Sequence, residues 1–581
     1  MEKALENGFP LGSEDTRPLL HEDWQYTDDG SLDIYGRPAL RHKSGNWRAS
    51  AIILGVEVLE SLAYYAISTN LVMYMSKILH EGNASIAASV GTWMGTGYLT
   101  PFLGALVADS YWGRYRTVFV SALIYLLGMV ILTFSASISF LKPPQCEGSS
   151  CPSATEAQKL VFFSGLYLIA FGSGGIKSSL LPLGADQFEE GNPVEKQRKG
   201  SFFNWFYFAL NLGALISSTF IVWIEENINW AVGFGIATLL MALAVVGFIS
   251  GTWIYRLQRP SESSVKRFLQ VLVASLKKTS LEVPVDSSDL YEMKGKTSMA
   301  LGSQKLVHTD EFRFLDKAAT MTALDVKNDG SPIPWRLCTV TQVEELKILL
   351  RLLPIWLTSI VYFTGYSQMS TTFIEQGSVM DAAMGPFSVP PASLFAFEIL
   401  SVMILVFIYD TFIVSTIKRF VGKGSGLSEL QRMGVGRFLI ILSMSAAALV
   451  ERKRLKSIGA GESMSIAWQL PQYFILGASE VFNCIGQLEF FYGQAPDTMR
   501  SMFIAFSLLT NSFGSYLSSF IVTAVATATS GEGQPGWIPD DLNVGHLDYF
   551  FWALAGLSAF NFVFFIVFAR WYRLKKVMVD H

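Results

Sequence analysis

The sequence predicts an all-α membrane protein with about twelve transmembrane helices in two six-helix halves. Three observations predict it. Of 581 residues, 51% are hydrophobic and only 16% charged, with mean hydropathy +0.36; soluble proteins carry about 25% charge. The apolar residues gather into runs of about 18 or more, enough for a helix to cross the hydrocarbon core. Lys and Arg fall in alternate connections between those runs, as the positive-inside rule requires. The net charge of −4 is small, and no basic stripe points to nucleic acid.

Residues 1–50 form a polar tail without the apolar core of a cleavable signal peptide, so the first span is expected to direct its own insertion. Spans fall near 51–74, 88–108, 117–140, 159–182, 202–223 and 230–253, giving an N-terminal half over 51–257. A polar cytoplasmic linker covers 258–343. Further spans near 346–370, 389–413, 434–451, 466–491, 502–527 and 547–570 give a C-terminal half over 344–571, with a tail over 572–581. Connections holding Arg37 to Arg48, Arg114 and Arg116, Lys196 to Lys199, Lys418 to Lys423 and Arg570 to Lys576 are basic, whereas those near 81–86, 224–229, 376–388 and 529–546 have no Lys or Arg. Both termini are therefore expected in the cytoplasm. The run Arg452-Lys-Arg-Leu-Lys456 disagrees, since it would lie outside. Within the linker, Val265–Lys278 alternates apolar and basic residues; it reads either as a helix on the membrane surface or as one packed on its own protein. Cys146 and Cys151 share an outer loop that could hold a disulfide, Cys338 and Cys484 read as structural, and nothing has metal-ligand spacing.

Ionisable residues inside spans carry the functional signal, because a charge at the bilayer centre costs at least about 2.5 kcal/mol. Glu57 and Glu60 lie on one face of the first span. Lys177 follows Gly172-Ser-Gly-Gly-Ile in the fourth, and a buried Lys needs an anion, for which Glu57 or Glu60 is the candidate. Glu480 lies deep in the tenth span, with Glu489 nearer its end, while Arg351 and Asp410 flank spans and read as anchors. Tyr64, Tyr65, Trp205, Phe206, Tyr207, Tyr366 and Phe490 to Tyr492 could wall a mixed cavity or simply pack. Gly91-Thr-Trp-Met-Gly95 reads as helix packing. Asp109 and Arg114, in the tight connection after the second span, could pair in one conformation and part in another, which would make a gate.

The loop Asp109 to Arg116 resembles that between helices two and three of the major facilitator superfamily. Phe206-Tyr-Phe-Ala-Leu-Asn211-Leu-Gly213-Ala-Leu215 resembles the helix-five signature of the plant peptide/nitrate transporters, also called the proton-dependent oligopeptide transporter family. Gly172 to Phe188 resembles that family's helix-four segment, with Ser178 in place of Pro. The resemblance covers nearly the whole chain and is nearest to the plant di- and tripeptide carriers, whose lead into helix one is similar to Gly45-Asn-Trp-Arg48. It implies the major facilitator fold and alternating access around a midplane site. It implies proton coupling by Glu57, Glu60 and Lys177, and substrate contact by Lys177, Glu480, Tyr64, Tyr65, Tyr366, Gln368 and Asn211. Gating is implied for Asp109, Arg114 and Glu489. Lys177 would take a peptide's carboxylate and Glu480 its amine. Tyr366 occupies the place where a nitrate-transporting relative carries His, which favours peptide over nitrate.

Ser61 departs from the family motif, which has Arg or Lys there. Without that cation Glu60 is easier to protonate, so coupling could be altered or absent. The expected function is proton-coupled symport of di- and tripeptides or peptide-like solutes, with protons and the bilayer as the other partners and no cofactor. The alternatives are a carrier of nitrate, a hormone or a specialised metabolite, or a sensor that binds without transporting. No catalytic triad motif, His-Glu-x-x-His or phosphate loop points to an enzyme. The acidic dileucine Asp15-Thr-Arg-Pro-Leu19-Leu20 resembles tonoplast-sorting signals and favours the vacuolar over the plasma membrane.

Overall fold

A computed structural model describes residues 26–144, 152–189, 192–258, 264–292, 306–326, 331–409, 427–496, 499–531 and 535–572, apart from positions 28, 285, 287, 288 and 386. The expected Cys146–Cys151 pair, the dileucine at Leu19 and Leu20, and Asp410 lie outside them.

The N-terminal half comprises α1 (Asn46–Lys77), α2 (Asn83–Val107), α3 (Arg114–Ser137), α4 (Glu156–Ala185), α5 (Pro193–Ile216, continued through a π turn to Asn227) and α6 (Trp230–Ser250). The linker contributes α7 (Ser264–Lys277). The C-terminal half comprises α8 (Val340–Tyr366), α9 (Leu394–Ile408), α10 (Glu429–Gly459), α11 (Leu470–Gln494), α12 (Arg500–Thr529) and α13 (Leu547–Trp571). Among the described residues ten helices are long and apolar enough to cross a membrane; α2 and α11, 25 residues each, complete the twelve. These two are diluted by small and polar residues, and both face the middle of the molecule.

Helix starts follow local chemistry. Reciprocal capping boxes open α4 (Thr155 and Gln158), α8 (Thr339 and Gln342) and α10 (Ser428 and Gln431). Asn192 caps α5, with Pro at its first position. This explains why α5 begins well before the expected 202: its first turns are polar and extend beyond the apolar run. α10 likewise runs past 451 to Gly459, and so absorbs the anomalous basic run. Arg454 is buried there against Glu451 at 2.6 Å, Asn543 and the Leu542 carbonyl, while Lys453 lies 3.1 Å above the Trp468 ring. Arg454 is neutralised by Glu451, and both cations sit near a helix C-terminus, which favours them.

The linker helix α7 divides its apolar residues. Phe268, Val271 and Ala274 are buried in a core with Leu315, Ala318, Ala319 and Val343, while Leu269, Leu272 and Leu276 are exposed. Ion pairs fasten this layer. Lys278 meets Asp325 at 2.7 Å, Arg267 meets Glu345 at 3.0 Å, and buried Lys347 meets Asp316 at 2.7 Å and Glu344 at 2.9 Å. His308, Asp316 and Glu344 bring possible metal-ligating atoms together, but Lys347 already supplies their positive charge.

The halves meet along α2 and α12. Gly91 and Gly95 of α2 lie against Ser515, Ser519, Ser512 and Tyr516 of α12. Ser512 donates to the Gly95 carbonyl at 2.7 Å, and Thr96 bonds the Tyr516 hydroxyl at 2.9 Å. Within the N-terminal half, Gly172 and Gly175 bring α4 against Ser121 and Tyr125 of α3, and Gly174 brings it against Thr100 of α2. The glycine run thus fixes where α4 presents Lys177.

Candidate substrate and proton site

Glu57 and Glu60 are both buried on α1. Ser61 is buried beside them, and its hydroxyl donates to Glu57 Oε1 at 3.4 Å. Oε1 of Glu60 is enclosed without a hydrogen-bond donor among the described residues. Ser61 also sits where α5 crosses α1. A Cβ added at Gly213 would lie 2.6 Å from Ser61 Cβ and 3.0 Å from the Val58 carbonyl oxygen. The glycine of the helix-five signature therefore lets α5 press on the residue that departs from the helix-one motif.

Lys177 does not form an ion pair with Glu57 or Glu60 within 4.0 Å among the described residues. It is exposed, and its Nζ lies 3.2 Å from the centre of the Tyr64 ring. A cation over an aromatic face gains about 0.5–2 kcal/mol. Tyr64 stacks on Trp93 and meets Tyr65 edge-on, and Tyr65 stacks at 5.7 Å on Phe395 of the other half. Tyr64, Tyr65, Tyr98, Tyr366, Phe395 and Tyr473 help wall a cavity between the halves.

In the C-terminal half, the Tyr366 hydroxyl donates to Glu480 Oε2 at 2.8 Å. Glu480 is partly exposed. Lys177 and Glu480 thus lie one on each half, each against a tyrosine, Tyr64 or Tyr366, that lines the aromatic cavity. Gln368, expected to touch substrate, is instead buried: its amide donates to Ser518 and the Thr364 carbonyl and accepts from Thr372. Asn211 donates back to the Tyr207 carbonyl at 2.8 Å. Gln368 is thus committed to its surroundings, whereas Asn211 is only half-buried.

The connection between α2 and α3 turns at Gly113, whose φ of +74° suits glycine. Arg114 reaches Asp109 only at 3.9 Å; its close partner is Asp186 at the end of α4, at 2.5 Å. Asp186 belongs to the Gly184-Ala-Asp-Gln-Phe188 segment, which was legible as a motif but not as this arginine's anion. Glu489 pairs with Arg432 of α10 at 2.5 Å, a contact inside one half rather than across the two.

Sequence reasoning passed over Glu398, a lone acid in the apolar run of α9. It is 2% exposed, and its Oε1 is enclosed without a hydrogen-bond partner among the described residues. The rule that identified Glu480, an acid inside a span, would have found it. Glu375 and Glu225 are also buried, but they lie outside the expected spans 346–370 and 202–223, so that rule would not have found them.

Two six-helix halves joined by a linker, with an aromatic cavity between them, have the architecture of an integral-membrane transporter. The sequence profile of the POT family matches residues 115–538, and the chain belongs to that family. It is similar to the Arabidopsis thaliana proteins NRT1/PTR family 8.3, at 52% identity over 97% of this chain and 99% of the relative, and NRT1/PTR family 8.1, at 49% over 96% and 99%. Among solved structures it is similar to an auto-inhibited POT family peptide transporter, with TM-score 0.68, 23% identity and coverage of 92% of this chain and 98% of that one. A POT family transporter in complex with 5-aminolevulinic acid matches with TM-score 0.61, 17% identity and coverage of 91% and 98%. These likenesses give the twelve-helix major facilitator fold.

Proposed function

We propose that the protein is a secondary transporter that carries di- and tripeptides or peptide-like zwitterions, driven by protons. The observation that carries this reading is the pair of opposed poles, cationic Lys177 over Tyr64 and anionic Glu480 with Tyr366, flanking a cavity lined by tyrosines. A zwitterion with its carboxylate toward Lys177 and its amine toward Glu480 satisfies both charges, while the rings accept side chains of varied shape. Lys177 here stands over Tyr64, clear of Glu57 and Glu60 and available for the carboxylate, and protonation of either acid keeps it from being drawn back to them. The two halves then rock about the filled site. A proton gradient supplies about 1.4 kcal/mol per pH unit. The similarity to a POT family peptide transporter supports the substrate class.

Proteoliposome uptake of a labelled dipeptide, with and without a proton gradient, tests this. Uptake that accumulates only with the gradient is expected; a gradient that changes nothing overturns the coupling.

Ser61 favours a second reading, a carrier with altered coupling. A hydroxyl 3.4 Å from Glu57 cannot replace a cation, and Gly213 encloses the position. If this reading holds, Ser61→Arg changes the pH dependence of uptake; an unchanged profile counts against it. For location we propose the vacuolar membrane, on the dileucine at Leu19 and Leu20. A fluorescent fusion that stays there after both are changed to Ala rejects that assignment.

A further inference from the structure

We propose that the connection between α12 and α13 is a lid at the non-cytoplasmic end of the molecule, latched onto α2 through Asn83, and that this latch parts whenever the substrate path opens on that side. This rests on the alternating-access reading above and adds to it the contact that closes one end.

The two halves exchange side chains at that end. Ala84 and Ala87, in the first turns of α2, lie in the core of the C-terminal half with Ile538 and Leu542 of the connection. In return Ile374 and Ala392, which precede α9, are buried in the core of the N-terminal half. These segments stand where α2, α9 and α13 begin, which the expected topology places away from both termini. Toward its other end α2 offers the C-terminal core Leu99 and Phe102, both only partly buried, while Leu103 is exposed.

Hydrogen bonds fasten the exchange. The Asn83 amide donates to the Pro539 carbonyl at 2.9 Å and to the Asp540 carbonyl at 3.1 Å, so it spans from one half to the other. No side chain caps the start of α2. The carboxylate of Asp540 lies beside Gly82, the residue before the first turn, where a Cβ would stand 3.3 Å from Asp540 Cγ. A negative group suits the positive end of a helix, and glycine leaves it room.

The connection is held firmly to its own half. Arg454 of α10 donates to the Asn543 side chain at 2.6 Å and to the Leu542 carbonyl at 3.0 Å. The Trp537 N–H donates to Thr529 Oγ1, at the end of α12, at 3.0 Å, and the His546 N–H closes the loop on the Trp537 carbonyl at 3.1 Å. Residues 537–546 therefore move with the C-terminal half, and rocking of the halves is felt at Asn83. There α2 contributes one neutral amide and two alanines. Neutral hydrogen bonds exchange for water at small net cost, so the latch closes the end reversibly.

Disulfide trapping of the full-length protein in proteoliposomes tests this. Gly82→Cys together with Asp540→Cys brings two thiols within bonding reach. Dipeptide uptake by the oxidised double variant is expected to be lost and to return on reduction, while each single variant keeps it. A linkage proven by mass spectrometry that leaves uptake unchanged overturns the proposal, as does failure of the pair to link. Hydrogen exchange gives a second readout that needs no transport. Asn83→Ala, which deletes both hydrogen bonds, is expected to quicken backbone exchange over residues 540–546 about tenfold. Ser85→Ala, whose hydroxyl bonds Glu81 of the same half at 3.2 Å, is expected to leave it as it is. Exchange that Asn83→Ala does not alter overturns the latch. If the wild type takes up no dipeptide, the transport reading fails, while the exchange result still decides whether Asn83 holds the lid.

Discussion

Changing Glu480 to Gln is the sharpest probe of the site, because it removes one charge and almost no volume. The amide oxygen can still accept from the Tyr366 hydroxyl, now 2.8 Å from Glu480 Oε2, so the local packing should survive. What is lost is the ion pair with the incoming amine. Truncating one member of a desolvated, hydrogen-bonded charge pair costs about 2–5 kcal/mol. Glu480 is only partly buried, so the lower part of that range applies, about 2–3 kcal/mol, since water screens the remainder. At 1.4 kcal/mol per decade this raises the KM for a dipeptide by about 30- to 150-fold. The assay is proteoliposome uptake of a dipeptide beside its N-acetylated form, which has no ammonium. Discrimination between the two should collapse in the variant. A KM that stays near wild type, or an equal loss for both substrates, would refute the assignment of the amine to Glu480.

Three further outcomes follow from other parts of the molecule. Lys177→Gln removes the cation above Tyr64 and the anchor for a carboxylate; uptake of dipeptides should fall at least about tenfold, while C-terminally amidated dipeptides should compete almost as well as before. Arg256→Met leaves Glu195, its partner at 2.9 Å, buried without a cation, and should destabilise the N-terminal half by about 3–5 kcal/mol, read as a lower midpoint of thermal unfolding. In the linker, burial alone would raise the Asp325 carboxyl, but hydrogen bonds from Lys278, Thr322 and Arg336 outweigh it and hold it below the usual carboxylate range. Its contribution is therefore complete above about pH 4, the unfolded value, and is lost as pH falls through the lower folded value. Hydrogen-exchange protection of residues 306–326 should weaken on acidification over that interval, and Asp325→Asn should abolish the acid step.

Much of the architecture was legible because a bilayer imposes one demand, long apolar helices, that hydropathy reads directly. The same demand made Glu57, Glu60, Lys177 and Glu480 conspicuous. What escaped were pairings, which depend on how helices cross. Asp186 stands at a helix end, where an acid excites no suspicion, so nothing in the chain announced it as the partner of Arg114. Gln368 looked like a ligand contact because it is polar inside a span, yet a helix break at residues 367–370 and a neighbouring serine consume its amide. The basic run at 452–456 contradicted the topology only while it was counted as loop charge; folded, Arg454 is an internal ion-pair member.

The seam between α2 and α12 bears on how the molecule moves. At Gly91 and Gly95, glycine backbone faces serine hydroxyls and one tyrosine ring. Interlocked leucines and phenylalanines must be pulled from their sockets before two surfaces can turn, at a dispersion cost that grows with each atom. A seam of small residues behaves more like a bearing. It keeps the halves in contact, and its hydroxyls can exchange one carbonyl for the next as the angle changes. The contact that holds the halves together is thus also the one that resists their rotation least.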